Sequence, residues 1–213
     1  MFYEKRRGAC FVPHVALATV FARAAARAGI GLHRTEGFSP HPRMSFGPEL
    51  PAGVVALSEP LDVWLKGDFR ESLASEWDAR MPDGFRVKAC VPLPENAPAL
   101  GKLCKAAHYR VRVERSEGVG NFLRLLEGHY GEDLLNASAD GPWISFVVGK
   151  PAQNGIGGWV RALVAEGAAA GWQDLRIVRL SLGRWDGVRM KSLAEEDVTC
   201  LQTKTRAASP TER

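Results

Sequence analysis

Residues Gly37 to Gly47, reading GFSPHPRMSFG, place His41 between Pro40 and Pro42, with Ser39, Arg43 and Ser45 close by. An imidazole exchanges a proton near neutral pH, and a guanidinium holds a phosphate or carboxylate through parallel hydrogen bonds. Each proline fixes one φ angle and biases the residue before it toward extended backbone, so His41 is presented with little conformational freedom. The same composition also suits a plain turn between strands.

Arg23 and Arg27 stand four residues apart in an Ala-rich run, a spacing that presents two guanidinium groups on one helix face. Together with Ser39, His41 and Arg43 they would form a basic surface fit for RNA or another polyanion, and a solvated helix face is the plain alternative. Sequence spacing does not bring His14 and the His41 loop together. If they met, one histidine acting as base and the other as acid could cleave RNA through its ribose hydroxyl. Phe2, Tyr3, Phe11, Phe46 and Trp64 are candidates for stacking bases, although aromatics at strand spacing more often pack a core. Trp64, Trp77, Trp143, Trp159 and Trp172 occupy apolar positions and read as packing.

Metal and cofactor chemistry have little foothold. His14, His41 and Cys10 lack a diagnostic ligand spacing, and Cys10, Cys90, Cys104 and Cys200 are scattered without a CxxC pair. The segment Gly155-Ile156-Gly157-Gly158 precedes a helical pattern, where a phosphate could sit. It lacks a P-loop lysine and a full dinucleotide fingerprint, so a turn with a helix start is the simpler reading. No cofactor is expected.

Residues 1 to 50 hold seven Lys or Arg against three Glu, so the net charge of +4 resides there, along with three of the five histidines. An anionic partner should dock on that segment. The 46% apolar and 24% charged content is that of an ordinary folded protein. No apolar run approaches the roughly 20 residues of a membrane span, and Met1 to Cys10 lacks a signal-peptide pattern, so a cytoplasmic location is expected.

The elements that must position these residues follow from periodicity. Phe2 to Val12 reads as a strand, and Pro13 opens a helix over His14 to Ala28 with the stripe Leu17, Val20, Phe21, Ala24 and Ala28. A short strand at 31–36, a longer one at 54–65, a helix at 68–81 and a strand at 85–91 complete a βαββαβ order. Pro92, Pro94 and Pro98 mark a stiff linker. The order then returns: strand 107–113, helix 119–130, strands 133–138 and 143–148, helix 159–170 and strand 175–182. The expectation is an α+β protein of two tandem ferredoxin-like (βαββαβ) sandwiches. The first spans 1–92, the linker 93–105 and the second 106–184, and a tail at 185–213 ends in disorder.

Phe11-Val12-Pro13-His14, the helix through Arg23 and Arg27 to Gly29, the loop Gly37 to Arg43, Ser45-Phe46, Leu50-Pro51 with Gly53, and Leu61-Asp62 resemble a family. It is the bacterial domain of unknown function found linked to radical S-adenosylmethionine (radical SAM) proteins. The resemblance covers roughly residues 2 to 115, and the loop is its most specific part. It implies a companion, or C-terminal appendage, of a radical SAM enzyme with a cobalamin-binding region, and proximity to ribonuclease E/G genes associates the family with RNA. The family's Ser-His-Leu-Asp reads Pro13-His14-Val15-Ala16 here and its Arg-Arg pair reads Ala26-Arg27, which puts any role for that carboxylate in doubt. The chain has no CxxxCxxC cluster motif, so the resemblance makes it the partner of the radical enzyme. The leading expectation is a non-catalytic accessory protein that binds RNA. A metal-independent ribonuclease using His14 and His41, and a pure protein-interaction module, are the alternatives.

Overall fold

The computed structural model describes residues 1–113 and 119–195. Expectations for the end of the tail, including Val198, Leu201 and the final dozen residues, lie outside them.

β1 (Phe2–Lys5) is shorter than its apolar run predicts. At Arg7 the backbone turns left-handed, with φ 50°, and Arg7–Phe11 winds into a 3-10 turn. This turn buries Ala9 and Cys10 and leaves Phe11 exposed, and the buried Lys5 Nζ donates to Val12 O at 3.2 Å across it. α1 (His14–Arg27) follows Pro13 as predicted and buries Leu17, Phe21, Ala24 and Ala25. Burying a side chain the size of Phe21 contributes about 1.5–3 kcal/mol.

β2 (Met44–Phe46) and β3 (Val55–Val63) form an antiparallel pair. α2 (Leu73–Asp78) is shorter than the predicted 68–81. The preceding turn is held instead by side chains: Glu76 accepts from Arg70 and from Ser72 Oγ, the latter at 2.6 Å. α2 buries Leu73 and Trp77, and Trp77 Nε1 donates to Phe21 O at 3.2 Å, locking the two helices together. β4 (Phe85–Ala89) ends this half.

The Pro-rich stretch leads into a single turn, α3 (Leu100–Leu103). Then come β5 (Ala106–Val113), α4 (Val119–Tyr130), β6 (Leu134–Asp140), β7 (Trp143–Gly149), α5 (Ile156–Ala165), β8 (Leu175–Trp185) and β9 (Met190–Ser192).

The architecture is α+β on a mostly antiparallel sheet, in the order β4-β1-β3-β8-β5-β7-β6, with β2 beside β3 and β9 beside β8. β3 and β8 run parallel, with Val55 opposite Val178 and Ala56 opposite Arg179, and this pairing makes one sheet of the two halves. Two cores lie on the helical face. One gathers Tyr3, Phe21, Leu61, Trp77 and Phe85, and the other Tyr109, Phe122, Leu126, Phe146 and Trp159. Alternate strand residues therefore point to the opposite face. No helix among the described residues is long and apolar enough to cross a membrane.

Candidate functional site

The His41 loop closes a small ladder. His33 N donates to Trp64 O, Arg43 N to His33 O and Thr35 N to His41 O, each at 2.8 Å. Arg34 Nη2 donates to Pro40 O at 2.6 Å and so ties the loop to its own stem. His41 N donates to Thr35 Oγ1 at 3.2 Å, and His41 Nδ1 lies 3.1 Å from the same hydroxyl and 3.4 Å from Ser39 O. The imidazole is thus oriented by a main-chain and a hydroxyl partner while remaining exposed, as are Ser39 and Arg43. Phe38, absent from the aromatic candidates, stands fully exposed at the tip.

Met44 and Phe46 face α1, so Arg43 and Ser45 face away from it. Arg43 lies over the Trp64 ring, 4.3 Å from guanidinium carbon to centroid. The pair borders a cavity of about 570 Å³ with Ser45, Asp62, Cys90 and the strap from Val91 to Leu100. Burial raises the Cys90 thiol pKa, and the nearby α-amino group opposes the shift.

Arg23 and Arg27 are exposed on α1, on the other side of the sheet from Arg43. His14 sits at the start of α1 against Phe46, with ring centroids 5.7 Å apart. Burial lowers its pKa, with Glu49 opposing, so its neutral form is favoured. The structure therefore groups Ser39 with His41 and Arg43 with Trp64, and gives His14 and the α1 arginines other surroundings. Phe2 and Tyr3 are buried, and Phe46 packs edge-on to Phe21.

The Gly-rich loop has a packing explanation. A Cβ on Gly158 would come within 2.9 Å of His129 Nε2, so the glycine allows α4 and α5 to approach. His129, Arg161 and Glu49 border a cavity of about 480 Å³ there. Burial chiefly, then Arg161, holds the His129 pKa below its ordinary value.

One group of residues lies beyond the sequence-derived site. Tyr109 and Val111 point into the second core, so His108, Arg110 and Arg112 lie on the helix-free face. Arg110 covers the half-buried Trp143 at 4.8 Å, and His108 Nε2 lies 2.8 Å from Ser145 Oγ. Trp143, which reads as packing in the sequence, is a surface ring. The legible signal is the period of two in His108-Tyr-Arg-Val-Arg112, which sends both arginines to one side.

No curated protein matches the sequence. A family model covers residues 1–130, from β1 to the end of α4, and so includes the His41 loop, the Arg43–Trp64 pair and α1. On that match the chain belongs to the family described as an uncharacterized protein conserved in bacteria (DUF2344).

Proposed function

We propose that this chain is a non-catalytic accessory protein that binds RNA, or a similar polyanion, through Arg23, Arg27, Ser39, His41 and Arg43. The observation that carries the reading is the exposure of all five side chains within the segment that holds the net positive charge. Because Arg43 and the α1 arginines lie on opposite sides of the sheet, an RNA strand would wrap the edge at β2 rather than enter a pocket. Phosphate contacts release counterions, so binding should weaken steeply between about 50 and 200 mM salt. Filter binding of mixed-sequence RNA at those two concentrations tests this, and no binding at low salt removes the idea.

The partner in this reading is a radical SAM protein with a cobalamin-binding region, a proposal that rests on the sequence resemblance. Co-purification of that protein with the native chain tests it, and co-purification without nucleic acid would favour a pure interaction module. Each half is read as a ferredoxin-like sandwich, at 1–92 and 106–184. The orders β4-β1-β3-β2 and β8-β5-β7-β6 support that reading, since each has the same relative arrangement.

The alternative, RNA cleavage by His14 and His41, requires both imidazoles to reach one ribose; burial favours the neutral form of His14 that a general base needs, but His14 packs on Phe46 and His41 on Thr35, so the two are not grouped. Loss of RNA cleavage in both His14→Ala and His41→Ala is its expected signature, and an intact RNA substrate after incubation with the wild type excludes it.

A further inference from the structure

We propose that the groove between the proline strap and the helix-free face of the N-terminal half holds a free medium-chain carboxylate, with its head on Arg43 and its chain running along β3 toward Leu193. The proposal goes beyond the RNA reading, with which it shares only Arg43.

The groove is longer than the cavity beside Arg43 and Trp64. A second cavity of about 410 Å³ continues it under the same strap, and Asp62, Val91, Leu93, Pro94, Ala97 and Leu100 border both. Strand alternation lays out the floor: Leu61, Val63 and Leu65 pack on the α1 side, so Pro60, Asp62 and Trp64 face the strap. Trp64 borders the first cavity, Pro60 the second and Asp62 both. Four residues of extended chain separate Trp64 from Pro60, a distance of about 13 Å. An extended chain advances about 1.2 Å per single bond, so an alkyl group of about ten carbons matches that floor. Pro92, Pro94 and Pro98 have no N–H, which leaves the roof poor in hydrogen-bond donors.

Polarity orients the ligand. Arg43 borders the first cavity and not the second, whose own residues include Phe2, Leu103 and Leu193. Arg43 lays the face of its guanidinium on Trp64, which fixes the group and leaves its in-plane N–H donors for a carboxylate. No ion pair engages it among the described residues. Two carboxylates share the lining: Asp62 already has a partner, and Glu95 is exposed on the strap. A cation at one end of an apolar groove is complemented by an aliphatic chain that ends in a carboxylate.

The test is isothermal titration calorimetry of the full chain with sodium decanoate, sodium octanoate and decan-1-ol. Decanoate should bind at one site, and octanoate about tenfold more weakly, because two methylenes leave the floor. Arg43→Gln should weaken decanoate binding about tenfold and leave decan-1-ol unchanged, since only the carboxylate meets the guanidinium. Arg43 is exposed, so this variant reports on binding without disturbing the core. Ala97→Phe, which puts a ring where the two cavities meet, should abolish decanoate binding. RNA retention by the same variant should match the wild type, so this proposal and the RNA reading can fail separately. Cys90 borders the first cavity, and saturating decanoate should slow its labelling by N-ethylmaleimide. No binding at millimolar decanoate, full affinity in Arg43→Gln or in Ala97→Phe, or Cys90 labelling that ignores decanoate overturns the proposal. Sedimentation of the chain with anionic phospholipid vesicles, in the absence of decanoate binding, assigns the groove to a membrane surface and likewise overturns it.

Discussion

Arg179 on β8 donates from Nε to Glu59 Oε1 at 2.8 Å and from Nη2 to Glu59 Oε2 at 2.5 Å, deep between the two halves of the sheet. Its remaining donors reach Pro48 O at 2.8 Å, Glu49 O at 3.3 Å and the Tyr109 hydroxyl at 3.4 Å. With side chains only 1% and 5% exposed, this ion pair has exchanged water for partners of fixed geometry. Burial works against the guanidinium charge, but Glu59 and Tyr109 outweigh it and raise the pKa further.

Removing one partner would strand a buried charge. Glu59→Ala should therefore destabilise the protein by about 3–5 kcal/mol, whereas replacing both residues with well-packed apolar ones should cost far less. Urea unfolding of the single and double variants checks this. Equal losses in both would mean that the site depends on packing rather than on charge.

Glu76 should set part of the acid limb of the stability profile. The Arg70 guanidinium first, and the Ser72 hydroxyl next, hold its carboxyl down to about 2. The unfolded chain binds this proton near pH 4.3. The stabilisation is therefore complete above that pH and is lost as the pH falls toward 2. Glu76→Gln should flatten the fall in Tm over that window, and an unaltered profile would refute the assignment.

Gly84 should not tolerate alanine. It has φ 85°, and a Cβ there would overlap the Arg6 carbonyl and lie 2.9 Å from the Ala9 Cβ. The same turn carries the Arg6 N to Gly84 O hydrogen bond at 2.7 Å, so it cannot shift without loosening β1 from β4. A loss of about 1–3 kcal/mol is expected in thermal unfolding of Gly84→Ala.

Cys104 should resist alkylation in the folded state. Burial chiefly, with Glu59 adding, pushes its thiol up to about 12, so almost no thiolate exists at pH 8. Mass spectrometry after brief iodoacetamide treatment should find Cys104 unmodified in native protein and modified in urea. Rapid native labelling would mean that the α3 segment opens readily.

The salt response should follow the arginines of α1. If Arg23 and Arg27 each meet a phosphate, Arg23→Ala should reduce the slope of log affinity against log salt by about one, and the double variant by about two. A slope unchanged in both variants would remove α1 from the interface.

Periodicity was enough to order most elements of this chain. The stripe Leu17, Phe21, Ala24 specified α1, and alternation in Ala107 to Val113 specified β5, because each pattern buries one face only at the right period. The exposed, oriented His41 was legible too, since Pro40 and Pro42 act through local backbone sterics. The early end of β1 was not: Arg7 adopts a left-handed turn whose stability comes from burying Cys10 and tethering Lys5, both settled by distant neighbours. Nor could local pattern disclose that β3 lies against β8, that Glu59 meets Arg179 across 120 positions of sequence, or that Trp143 faces outward beneath Arg110. Local sterics and hydrophobic spacing act within a few residues, whereas strand neighbours and the partners of buried charges are chosen by the closure of the whole sheet.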